Sequence, residues 1–228
     1  MYFCGYFDKV LYKNLTHAKD MKKNNKRDEK EILTPSGFTL GAVFGENQEP
    51  TIDDFYYDAL ELLGGRKREI KEALRLLNAS LKMDEDYVQT YIGFVCAYDA
   101  MGDEKKKEEA IKTAYEKTLK KFPKWPKKME WGWLENRAYL RAIQYMDDLY
   151  WDNGENEKAI ELFRLLLGLN PNDNQGVRYE IAALYAGLNG EDINRMTDEG
   201  NEKQDWSAQE KLVWEQNKTH KFWKEPRY

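Results

Sequence analysis

From Thr51 to Phe222 the apolar residues return at spacings of three and four, and most runs are stopped by glycine or proline. A chain with that period packs as helices, because residues at i, i+3, i+4 and i+7 share one face. Lys67 to Met83 is the clearest case, with Ile70, Ala73, Leu74, Leu77 and Leu81 in one stripe. The same reasoning predicts helices from Thr51 to the Gly64-Gly65 stop, Glu85 to Met101, Glu104 to Phe122 and about Asn136 to Asp152. Further helices are predicted over Asn156 to Leu169, about Gln175 to Leu188, and Ser207 to Phe222. Thr51-Ile52-Asp53-Asp54 and Ser207-Ala208-Gln209-Glu210 have the form of capping boxes, and Pro123 and Pro171 forbid continuation. Short turns between helices of this length make the neighbours antiparallel. The predicted class is all-α.

Residues 1–50 read differently. Asp20 to Glu29 is polar with one apolar residue and cannot bury enough surface to order itself alone. Pro35-Ser36-Gly37 signals a turn before a short extended stretch, Phe38 to Phe44. We therefore expect an N-terminal arm, extended or partly disordered, then a helical domain over 51–200 and a C-terminal capping helix in 201–228. The longest nearly uncharged apolar run, Tyr91 to Tyr98, is far below the roughly 20 residues of a spanning helix, and no signal peptide is expected. Two cysteines, Cys4 and Cys96, have no paired spacing and suggest a reducing, cytoplasmic setting. The net charge is −5, yet Asp103 to Lys128 holds ten lysines against five acids. A uniformly basic nucleic-acid footprint is absent, while a local basic face exists.

The helix pairs carry a repeat. In Leu140 to Asp173, Tyr150 stands four residues before Gly154, Ala159 and Phe163 follow four apart, and Pro171 closes the unit. This resembles the tetratricopeptide repeat, a helix pair of about 34 residues. Looser copies precede it: Ala73, Leu77, Ser80 and Leu81 in one, and Tyr91, Tyr98 and Gly102 in the next. In that second copy Ile111, Tyr115, Thr118 and Pro123 fit only after a shift of four residues. The units fall at about 52–86, 87–123 and 136–173, with a lone helix at 174–189, and a Trp-rich insertion (Trp125, Trp131, Trp133) follows Pro123. Glu135 to Arg141, Leu169 to Tyr179 and Glu215 to Trp223 are also similar to a group of prokaryotic tetratricopeptide proteins without assigned chemistry. That group usually has proline where Ala138 stands, and either residue suits a first helical turn.

Few constellations point to catalysis. No P-loop, Gly-x-Ser-x-Gly or Gly-x-Gly-x-x-Gly pattern occurs, and His17 and His220 form no local metal or catalytic cluster. Asn170 to Gly176 lacks the alternating acids and closing Glu of a calcium loop, and reads as an interhelical turn in which Asp173 or Asn174 caps the next helix. The lysines of 105–128 interleave with Glu108, Glu109 and Glu116 and read as a solvated face more than a nucleic-acid site. The insertion tryptophans read as wedges under a loop. No enzyme, cofactor or metal is expected.

What the resemblance implies is a short right-handed solenoid whose first helices line a concave groove holding a peptide or protein segment. Its groove positions fall here on Gln89, Ile92, Cys96 and Asp99; on Arg141, Gln144, Asp148 and Trp151; and on Gln175, Arg178, Ala182 and Tyr185. Arg141 and Arg178 would suit an acidic partner, because a guanidinium binds a carboxylate in bidentate fashion. Two alternatives stand beside this expectation. One is a nucleic-acid-associated protein using the Lys105–Lys128 face; the other is a homodimer joined through the insertion.

Overall fold

A computed structural model describes residues 50–225 of the chain. The described residues are helical, without strands: α1 Ile52–Leu62, α2 Lys67–Met83, α3 Val88–Met101, α4 Glu104–Lys121, α5 Leu134–Asp152, α6 Asn156–Leu169, α7 Val177–Tyr185, α8 Gly190–Lys203 and α9 Ser207–His220. The expected arm, with the extended stretch at 38–44, His17 and Cys4, lies outside them. The chain divides between Glu85 and Asp86 into two compact units.

In the first unit α1 and α2 pack as a pair. The Thr51 hydroxyl accepts from the Asp54 amide at 3.3 Å, and the Asp54 carboxylate accepts from the Thr51 amide at 2.7 Å. Two free N–H groups of the helix start are thereby satisfied, as the capping-box spacing requires. The predicted stripe of α2 appears as buried Ile70, Ala73 and Leu77.

In the second unit α3 pairs with α4 and α5 with α6, while α5 also lies against both α3 and α4. Val88, Ile92, Ala114, Ala138 and Ala142 form the core between α3, α4 and α5, with Tyr91, Tyr139 and Tyr145 against it. The α5–α6 pair covers the segment Leu140 to Leu169. Ala159 is fully buried, Phe163 is fully buried beneath Trp151 in an edge-to-face contact at 6.0 Å, and Gly154 turns the chain at φ +73°. The Trp-rich insertion is tied down by the Met129 amide, which donates to the Leu169 carbonyl at 2.7 Å, and by Phe122 stacked on Trp125. Trp133 departs from the wedge expectation and is 63% exposed, beside Leu134 at 55%.

Three expectations need correction near the C-terminus. Helix α8 was not predicted, although Asn189-Gly190-Glu191-Asp192 closes a capping box and Ile193 is buried. Its 14 residues carry only two large apolar side chains, Ile193 and Met196, so no recurring apolar stripe marks it. The lone helix at 174–189 is shorter, at Val177–Tyr185. Ser207 is no N-cap: that position is Trp206, and the Ser207 amide donates instead to the Asp205 carboxylate at 2.9 Å. Cys96 carries no free thiol, so the argument from two reduced cysteines to a cytoplasmic setting loses its basis. No described helix is long and apolar enough to cross a membrane.

Two substitutions test this account together. Phe163→Ala removes a fully buried aromatic and is expected to cost about 3–5 kcal/mol in denaturant unfolding. Ser207→Ala removes no capping bond and is expected to stay within about 0.5 kcal/mol.

Candidate functional site

The groove positions of α7 are covered by the chain itself. Asp173, at φ +50°, accepts the Val177 amide at 2.7 Å and the Arg178 amide at 3.2 Å, fastening the helix start as the turn reading expected. The same carboxylate accepts the Arg178 guanidinium at 2.9 Å, and Glu210 of α9 takes its other edge at 3.3 Å. The guanidinium also lies over the rings of Tyr179 and Trp223, at 4.2 and 5.1 Å. Burial and the Glu210 contact push the Tyr179 phenol up to about 12. Tyr185 stacks on His220 at 3.8 Å with ring planes 5° apart, and Arg164 donates to the Tyr185 hydroxyl and the His220 carbonyl. Buried Phe222 and the clasp of Asn217 on the Trp223 backbone complete this cover. Arg178 and Tyr185 are therefore occupied rather than open, which removes one of the two arginines on which an acidic partner rested.

Between α5 and α7 lies a buried polar layer. Gln175 donates from Nε2 to Gln144 Oε1 at 2.7 Å and to the Leu140 carbonyl at 3.3 Å. The Gln144 amide in turn donates to both oxygens of Glu180 at 3.3 Å. Gln144, Gln175 and Glu180 are 7, 3 and 2% exposed, so Gln144 and Gln175 are interior groups and not an open groove. One turn further along α5, Asp147 is fully buried and neither of its carboxylate oxygens has a hydrogen-bond partner. Gln175 Oε1 is likewise without a donor. The layer thus holds more acceptors than donors, and in a low-dielectric interior such oxygens cannot all carry charge.

The electrostatics follow from that imbalance. Burial, reinforced by Asp148 and Glu180, holds the Asp147 carboxyl well above the usual carboxylate range. Burial, with Asp148 and Asp173 nearby, does the same for Glu180. Asp148 is half-buried, and desolvation together with Asp152 pushes it up to about 7.

The remaining predicted positions scatter. Ile92 and Ala182 belong to the core and Cys96 is buried, its sulfur 3.9 Å from the Tyr145 hydroxyl. Asp99 pairs with Lys107 at 2.6 Å, Gln89 is half-buried on α3, and Trp151 rests on Phe163. The Arg141 guanidinium lies over Trp131 at 5.6 Å. On the lysine face, Lys106, Lys107 and Lys112 pair with acids, and Lys117 and Lys120 share Asp86, holding its carboxyl down at about 2. No described group of His, Cys, Asp and Glu is arranged to hold a metal ion. Sequence reasoning passed over Asp147 and Glu180. Their signal was a carboxylate at an apolar period, Asp147 in line with Leu140, Ile143 and Gln144, and Glu180 between Val177 and Ile181.

Carboxyls raised in the folded state favour folding fully only below their unfolded pKa, near 4, and that contribution is lost as pH rises through the folded value. Thermal stability is therefore expected to fall from about pH 4 through about pH 7, the region of Asp148, and beyond for the deeper pair. Asp147→Asn, which cannot ionise, is expected to raise the melting temperature at pH 8 and flatten the slope; an unchanged slope would contradict the account. Compared with known proteins, the chain matches no family model, no curated protein and no solved structure, so its functional reading rests on these residues.

Proposed function

We propose that this chain is a non-catalytic protein-interaction module, a stack of tetratricopeptide-like helix pairs that holds a segment of another protein against α5 and α7. The observation that carries it is the acceptor-rich layer of Gln144, Asp147, Glu180 and Gln175 behind half-buried Asp148. Closely packed helices ordinarily meet through aliphatic side chains, and a buried polar layer with unmet acceptors costs folding free energy. A role in recognition accounts for that cost. The α9 cover leaves α5 as the helix on which a partner finds Asp148.

The test is capture of a binding protein on immobilised chain, with its identity read by mass spectrometry. Asp148→Lys reverses a half-buried charge on that face and is expected to abolish capture while far-UV circular dichroism is unchanged. Retention of the same protein by the folded variant would sink the reading.

A second reading, self-association through the insertion, is favoured by the exposed neighbours Trp133 and Leu134. It predicts a dimer in light scattering that Trp133→Ala converts to monomer. A monomeric parent chain at all concentrations removes it.

A further inference from the structure

We propose that the segment from Lys121 to Leu134, which joins α4 to α5, docks on an anionic bilayer surface. Trp133 and Leu134 enter the headgroup region, and the lysines around them meet the lipid phosphates and carboxylates. The inference goes beyond the recognition reading, since it uses neither the α5–α7 layer nor the cover on α7.

Ion pairing divides the lysine-rich stretch in two. Up to Lys120 it is largely neutralised: Lys106 meets Asp103, Lys107 meets Asp99, Lys112 meets Glu108, and Lys117 and Lys120 share Asp86. From Lys121 the pairing stops. Lys121, Lys124, Lys127 and Lys128 are exposed, and none makes a side-chain hydrogen bond or ion pair among the described residues. Glu130 is the one acid between Lys121 and Leu134. Ammonium groups crowded on so short a segment repel one another, and an anionic surface turns that repulsion into attraction.

The second observation is apolar and lies in the same segment. Trp133 and Leu134 are exposed neighbours, whereas the other two tryptophans of the insertion are held by the chain. Trp125 stacks on Phe122, and Trp131 lies under the guanidinium groups of Arg137 and Arg141. The exposed pair is fixed in place by the Glu130 carbonyl, which accepts the Trp133 amide at 3.2 Å and the Asn136 side chain at 2.9 Å. Just before Glu130, buried Met129 anchors the backbone that carries Lys127 and Lys128. Lys128 therefore stands two residues from the turn that presents Trp133.

A bilayer surface answers both observations. An indole settles at the headgroup level, a leucine reaches toward the acyl chains, and lysine stems leave their charges among anionic headgroups. Single-stranded nucleic acid also neutralises lysines, but its successive bases need successive open rings. Of the three insertion tryptophans only Trp133 offers one, and Leu134 stays uncovered. A second copy covers both apolar side chains, yet a two-fold contact sets the four lysines against their own counterparts.

The test is flotation of the full chain with vesicles of equal parts phosphatidylserine and phosphatidylcholine, against vesicles of phosphatidylcholine alone. Binding to the anionic vesicles is expected at about 0.1 M salt and its loss at about 1 M, as the screening length falls from about 10 to about 3 Å. Lys127→Gln with Lys128→Gln is expected to weaken partitioning about 25-fold, fivefold per charge, and Trp133→Ala about tenfold. Lys106→Gln with Lys112→Gln removes the same net charge, but at paired sites at least about 13 Å along α4 from Lys121. That variant is expected to change partitioning less than about threefold, being beyond the screening length. All these side chains are exposed, and far-UV circular dichroism checks that each variant folds. Absence of binding at low salt, equal binding to neutral vesicles, or equal loss from the two lysine pairs would overturn the proposal. Binding of a single-stranded oligothymidylate without vesicle binding would assign the lysines to nucleic acid and overturn it as well. A dimer that Trp133→Ala dissolves, without vesicle binding, would leave the patch to the self-association reading and end the bilayer proposal.

Discussion

Ala114, Ala142, Ala159 and Ala182 all have no exposed surface, and they mark where neighbouring helices of the second unit come close. A small side chain at a crossing lets backbones approach to a distance that a leucine would prevent, and overpacking such a point costs about 1–3 kcal/mol. The close approach has a second effect. Whatever lies between two such crossings is sealed from water, whether it is aliphatic or not. On α5, Leu140 and Ile143 satisfy that constraint with apolar surface, whereas Gln144 and Asp147 meet it with polar groups. The acceptor surplus is thus a consequence of tight helix packing applied to a stripe that is not wholly apolar.

This explains which features were legible in the sequence. The period around Ala159 and Phe163 and the stops at Gly154 and Pro171 needed only local physics, and α6 runs from Asn156 to Leu169 as that period requires. The Asp173 cap was readable because an oxygen-bearing side chain just ahead of a helix start has few other uses. The Ser207 box had the right spacing and failed, because Asp205 already takes the amide that opens the helix. Helix α8 escaped notice because only Ile193 and Gly200 are buried along it, too thin a stripe to show a period.

The groove positions were legible only as places on helices. Sequence assigns Gln144, Gln175 and Arg178 to one face but does not say what each touches. Contacts between α5 and α7 turned the glutamines inward, and contacts with α9 consumed the arginine. Asp147 and Glu180 were missed for the same reason. A carboxylate in an apolar period reads as an interruption until a neighbouring helix shows that nothing answers it.

The cover and the layer make opposite demands on the chain. Along the described part of α9 and its tail only Val213 and Phe222 are buried among apolar residues, so polar and aromatic contacts carry much of its attachment. Its hold on α7 combines Glu210 and His220 with Phe222 and Trp223. The carboxylate layer, by contrast, lies where opening would expose the core of the α5–α7 contact. A partner displacing α9 would meet Arg178 with its own charges, while one engaging Asp148 would leave the cover in place. Because burial holds the deep carboxyls in their neutral form, ionising them opposes folding. Resistance of the fold to rising pH therefore depends on the charge placed on Asp147 and Glu180, the two carboxyl groups most completely sealed by the close helix packing.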